Sequence, residues 1–157
     1  MIVIADTTPL NYLILIEEVE ILRRLYARVV IPPAVFEELS RNAAPTPVRA
    51  WIAALPSWLE VRSPGSLTLD LPSNLGRGER EAIALAEELQ ADQLIVDDRP
   101  ARREAERRGF NVIGTLGVLE DAAHEGYVDL QIAIDRLRKT SFYIAPELLD
   151  RLLGSSG

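Results

Sequence analysis

The stretch Ile2-Val3-Ile4-Ala5-Asp6-Thr7-Thr8-Pro9-Leu10 decides how the chain is read. Four small or β-branched apolar residues in a row fit a strand buried on both faces, and a carboxylate, two hydroxyls and a proline end it abruptly. In an open α/β sheet, ligands and catalytic groups collect at the carboxyl ends of such strands. Asp6 is expected at that edge, ahead of a helix beginning near Pro9. The bland alternative is that Asp6, Thr7 or Thr8 merely caps the helix.

Outward from this stretch, strand-like and helix-like runs alternate. Leu10, Leu13, Ile14 and Ile16 give a helical pattern over 9–18, and Ile21, Leu22 and Leu25 another over 20–26. Val29-Val30-Ile31 reads as a buried strand stopped by Pro32-Pro33, and Pro33 suits the first turn of a helix over about 33–42. A helix over 46–55 and a short edge strand at Leu59-Glu60-Val61 follow. Residues 63–78, rich in Ser, Pro, Gly and Asn, form the longest irregular segment, a flap or a crossing loop. From Glu79 onward Ala82, Ile83, Leu85, Ala86 and Leu89 line one helical face.

Leu94-Ile95-Val96 is a second central strand, ended by Asp97-Asp98. A basic helix over about 100–108 stops at Gly109, and Asn111-Val112-Ile113 is the next strand. Thr115 is expected to cap a helix running to Gly126, a further helix covers 130–138, and Phe142-Tyr143-Ile144 precedes a last helix from Pro146. Strands alternating with helices call for a parallel sheet covered on both faces. The 157 residues make one domain, 1–157, with no linker, repeat or low-complexity tract.

Composition narrows the chemistry. With no cysteine and a single histidine, His124, thiolate sites, His-rich metal sites and His-based triads drop out. No apolar run approaches the ~18 residues of a membrane span, and the start of the chain lacks the basic flank of a signal peptide, so a cytoplasmic protein is expected. The net charge of −7 argues against general nucleic-acid coating. Of the 17 basic residues all but Lys139 are arginine, and Arg99, Arg102, Arg103, Arg107 and Arg108 cluster. Arginine's planar fork suits phosphate, although a solvated helix face explains the cluster equally well.

The strand ends carry the chemistry. Two parallel strands that finish on Asp6 and on Asp97-Asp98 bring those acids to one edge of the sheet. Glu38 lies about a turn into the helix after the second strand, and Glu79 and Glu81 open the helix leading to the strand before Asp97. Four acids from distant segments are therefore candidates to converge. Crowded carboxylates cannot all ionise cheaply and require protons or a cation to offset the repulsion. Oxygen ligands without His or Cys favour Mg²⁺ or Mn²⁺, which orient water and offset phosphodiester charge. The competing reading is four unrelated acids, two of them caps favoured by the helix dipole.

The chain resembles the PIN-domain nucleases, in particular a prokaryotic subgroup related to VapC-type toxins of toxin–antitoxin modules. The resemblance runs in order through Asp6-Thr7-Thr8-Pro9-Leu10, Ile31-Pro32-Pro33-Ala34-Val35-Phe36-Glu37-Glu38-Leu39, Leu75-Gly76-Arg77-Gly78-Glu79-Arg80-Glu81-Ala82-Ile83, Leu94-Ile95-Val96-Asp97-Asp98-Arg99 and Gly114-Thr115-Leu116-Gly117-Val118-Leu119. It implies a three-layer α/β/α sandwich with a mainly parallel sheet, and a metal-dependent endoribonuclease whose acids bind Mg²⁺ or Mn²⁺. By position Asp6, Glu38, Glu79 and Asp97 would be the catalytic and metal-binding acids, with Glu81 a rival for the third place and Asp98 open for the fourth. The third acid is glutamate where many relatives carry aspartate. The resemblance further implies that Thr8 bonds a carboxylate or phosphate, that Arg99 and Arg102 steer RNA, and that the protein is a homodimer held in check by a small antitoxin.

Other readings stay open. A PIN-like interaction protein with a degenerate acidic site is the main alternative, and a phosphatase or nucleotide hydrolase on a similar sheet is a third. His124 reads as a surface or capping group, and Trp51, Trp58, Phe142 and Tyr143 as packing rather than base-stacking residues. Leu148, Leu149, Leu152 and Leu153 form an apolar stripe suited to docking within the monomer or across a dimer.

Overall fold

The computed structural model describes residues 1–65 and 70–156. Its centre is a five-stranded sheet in the order β3-β2-β1-β4-β5, every pair parallel. The strands are β1 (Val3–Ala5), β2 (Val29–Ile31), β3 (Leu59–Val61), β4 (Gln93–Ile95) and β5 (Val112–Ile113). The opening stretch thus supplies the middle strand, flanked on both sides, which is why it can be apolar without alternation.

Period-two geometry sorts the strand side chains between two cores. Val3, Ala5, Val29, Ile31 and Ile95 enter the larger one, while Ile4, Val30, Leu94 and Val96 enter the smaller. The larger core is closed by α1 (Thr7–Leu15), α2 (Ile21–Tyr26), α3 (Pro33–Ser40), α4 (Thr46–Ala53), α7 (Thr115–His124), α8 (Leu130–Arg138) and α9 (Pro146–Ser156). The smaller core is closed by α5 (Arg77–Leu89) and α6 (Arg99–Arg107). This is the three-layer α/β/α sandwich expected. Ile4, Leu94 and Ile95 are fully buried, and burial of each such side chain contributes ~1.5–3 kcal/mol.

Local differences from expectation have physical reasons. Helix α4 stops at Ala53, because Ala54 leaves helical geometry at φ −117° and ψ 61°. Gly109 takes φ +91° after α6, with its amide 2.9 Å from the Glu106 carbonyl, so the stop expected there forms as a left-handed turn. The irregular segment 63–78 gives its last residues to the start of α5, and its residues 66–69 lie outside those described. The leucine stripe of α9 docks within the chain: Leu152 is buried, and Leu148, Leu149 and Leu153 pack on the larger core. Among the described residues no helix is long and apolar enough to cross a membrane.

Candidate active site

Crossovers run outward from β1 to β2 and β3 on one side, then return to β4 and β5 on the other. The carboxyl ends of β1 and β4 flank the point where direction reverses, the usual position of a crevice in such sheets. The Asp6 amide donates to the Ile95 carbonyl at 3.0 Å, fixing its backbone against β4.

Asp6 is only 3% exposed. It occupies the N-cap position of α1, yet its side chain makes no capping hydrogen bond. Its Oδ1 is buried without a partner, an arrangement that costs ~1–3 kcal/mol or more for a charged group. Burial, chiefly, pushes the Asp6 pKa up to about 7; the Thr7 backbone opposes this, and the charges of Glu79, Glu38 and Asp98 add to it.

Glu38 comes to the same place from α3. Its carboxylate accepts a hydrogen bond from the Thr7 hydroxyl. The meeting point is the bare backbone of Gly78 in the first turn of α5. A Cβ there would stand 2.8 and 3.1 Å from the Glu38 carboxylate oxygens and 3.2 Å from Asp6 Oδ1. Only glycine leaves that space free.

Glu79 follows. It is half-buried, and its pKa is raised mainly by burial, with its own amide opposing and Asp98 and Glu38 adding repulsion. Glu81, two residues on, has a different use. Its carboxylate accepts from the Ala34 amide and from Arg77 Nε, each at 3.0 Å, while Arg77 also reaches Glu37 at 2.6 Å. Glu81 thereby ties the first turn of α3 to α5 and sets how closely Glu38 approaches Gly78.

The two acids after β4 diverge. Asp98 lies on the acid side, where its charge raises Asp6 and Glu79, and one of its oxygens caps α6 by accepting from the Ala101 amide at 3.1 Å. Asp97 turns to β5 and α7. Its Oδ1 accepts from the Thr115 amide at 2.8 Å and its Oδ2 from the Thr115 hydroxyl at 2.6 Å. Burial raises its pKa, while the two Thr115 bonds and the Arg102 charge lower it. The structure thus groups Asp6, Glu38, Glu79 and Asp98, and sets Asp97 apart.

Two hydroxyls play parts other than those the sequence suggested. Thr7, not Thr8, binds Glu38 among the described residues. Thr115 opens α7 after an N-cap at Gly114, and its hydroxyl reaches back to Asp97 instead of capping. A strand end followed by a short hydroxyl residue, seen at both β1 and β5, is the signal that points to them.

The arginine cluster splits. Arg107 and Arg108 are bound to buried Glu104 at 2.5 and 2.8 Å, a structural network on α6. Arg99 and Arg102 instead line a cavity of about 550 Å³ that Asp97 also reaches. His124 is exposed at the end of α7.

A divalent cation fits the acid group. An orphaned carboxylate oxygen, a second carboxylate across a bare glycine and two further acids nearby are hard oxygen donors short of positive charge. Among the described residues no three such side chains close on one point by themselves. Mg²⁺ needs only one or two carboxylates, the rest of its shell being water and phosphate.

Comparison with known proteins agrees with the fold. A family model described as PIN domain, DUF3368, matches residues 2–157. Among solved structures, the chain is similar to a PilT N-terminus domain protein from the hyperthermophilic archaeon Sulfolobus solfataricus P2. That likeness has a TM-score of 0.53 at 18% identity and covers 92% of this chain and 100% of the other, which speaks to the fold. No curated protein matches by sequence. With the match running over nearly its full length, the chain belongs to the PIN-domain family, whose members are generally nucleases.

Proposed function

We propose that the protein is a divalent-metal-dependent endoribonuclease that hydrolyses RNA phosphodiester bonds, the toxin-like member of a toxin–antitoxin pair. The observation that carries the reading is the approach of Asp6 Oδ1 and the Glu38 carboxylate to the open face of Gly78. Asp6 and Glu38 would hold the cation, Mg²⁺ or Mn²⁺, with Glu79 and Asp98 beside them. When bound, such an ion offsets charge on the phosphodiester and lowers the pKa of a bound water.

The side chains have distinct tasks. Thr7 holds the Glu38 carboxylate toward Gly78, and Glu81 holds α3 against α5. Glu79, half-buried with a raised pKa, would accept a proton from the attacking water. Asp97, tied to Thr115, acts as a positioning residue that keeps β4 and α7 in line. Arg99 and Arg102 would hold the RNA backbone, with Thr8 in reserve at the start of α1. A homodimer, a small antitoxin and a cytoplasmic setting belong to the same proposal, and light scattering of the purified chain tests the dimer.

Cleavage of single-stranded RNA in Mn²⁺ is the direct test. Asp6→Asn is expected to lower the rate by at least ~10²–10³-fold, the scale of losing one electrostatic contact to the transition state, while the fold survives. Unchanged turnover in the purified variant would refute the proposal. RNA binding without cleavage by the parent protein would favour the non-catalytic alternative.

A further inference from the structure

The cavity beside the acid group has a chemistry of its own. Arg99, Arg102 and Arg151 line it together with Asp97, Phe142 and Tyr143, and its volume of about 550 Å³ lies in the range of ligand sites. Among the described residues no salt bridge holds any of these three arginines, in contrast to Arg107 and Arg108. In a chain of net charge −7, three guanidiniums against one carboxylate make a local excess of positive charge.

Tyr143 is 79% exposed at this cavity. Its backbone is nonetheless anchored: Phe142 packs edge-on against Tyr12 with centroids 5.0 Å apart, and the Tyr12 hydroxyl lies 2.7 Å from Ser141 Oγ. A large aromatic side chain held out from a fixed segment, beside guanidiniums held in no salt bridge, matches what an unpaired base and its phosphates require.

From this we infer that the cavity is a subsite for one nucleotide of single-stranded RNA. Tyr143 stacks on the base, and Arg151, Arg102 and Arg99 hold the adjoining phosphates. Asp97 lies on the cavity wall and its chain neighbour Asp98 among the acids, so the subsite adjoins the proposed cleavage site. Duplex RNA keeps its bases stacked inside the helix and cannot use Tyr143. The inference rests on the nuclease reading and adds the conformation of the substrate and the role of the segment after α8.

The test uses a fluorescein-labelled single-stranded RNA and its duplex, with anisotropy read in EDTA so that binding is separated from cleavage. Tyr143→Ala should weaken single-strand binding roughly 10-fold, with Tyr143→Phe binding like the parent and duplex affinity unmoved. Arg151→Ala should weaken binding and reduce the salt slope by about 0.7. Unchanged affinity in both variants, or equal losses for single strand and duplex, would overturn the subsite. Cleavage by the parent with neutral variants removes this inference alone, whereas selective binding without any cleavage removes the nuclease reading and leaves the subsite standing.

Discussion

Asp6 and Asp97 end adjacent strands at the same edge of one sheet, and they live differently. Both oxygens of Asp97 are bonded to Thr115, at 2.8 and 2.6 Å. Asp6 has an oxygen buried with no partner and three acids close enough to raise its pKa. The Asp97 carboxylate joins β4 to α7 through those bonds. That of Asp6 is held at a cost to stability, and an unsatisfied buried acid is a sign of something that binds there.

The largest effect should come from titrating Asp6 in metal-free buffer. Its folded pKa, about 7, lies above the reference 3.8, so the folded state holds its proton over that interval and the unfolded state does not. Stability should therefore fall as pH rises from about 4 to about 7, by at most ~4 kcal/mol at ~1.4 kcal/mol per pH unit. In urea melts across that range Asp6→Asn should flatten the fall, and millimolar Mn²⁺ should restore the parent at pH 8. Matching pH profiles for parent and variant would erase the contrast between the two aspartates.

Gly78→Ala sharpens the comparison from the other direction. Its Cβ would displace the flexible end of Glu38 and crowd Asp6 Oδ1. Cleavage should drop ~10–100-fold with no loss of melting temperature, because alanine suits a helix better than glycine. A variant as active as its parent would show that the acids need not meet there.

At Asp97 the order reverses. Thr115→Val leaves Asp97 Oδ2 without its donor and should cost ~1–3 kcal/mol in denaturant melts, with Thr115→Ser recovering it. Smallest is Glu37→Ala. Its pair to Arg77 is exposed on both sides and Arg77 keeps Glu81, so the melting temperature should move by no more than about 2 °C.

The sheet was legible because unbroken apolar runs such as Ile2–Ala5 and Leu94–Val96 have few other uses, and alternation with helices leaves parallel pairing as the solution. The nearness of Asp6, Glu38 and Glu79 to one another was legible because they sit at element junctions in a recognisable order. The choice between Asp97 and Asp98 was not, because adjacent residues leaving a strand face opposite layers and the side depends on register. With Ile4 aligned to Leu94, and both in the smaller core, the parity that carries Asp6 toward α5 also carries Asp98 there and sends Asp97 the other way. Thr115 was read as a cap because its true partner lies 18 residues upstream, across a strand pairing that local sequence does not show. Thr7 and Thr8 differ only in which face of the first helical turn meets α3, a matter of packing.

On the proposed function, the acids gathered at the end of β1 form a cation site and Asp97 stays outside it. A crystal structure with Mn²⁺, its anomalous signal measured at the manganese edge, tests this most directly. A peak is expected within about 2.0–2.4 Å of Asp6 Oδ1 and a Glu38 oxygen, over Gly78, with Asp97 still bonded to Thr115. A peak ligated by Asp97 in place of Asp6, or no peak at millimolar Mn²⁺, would contradict it.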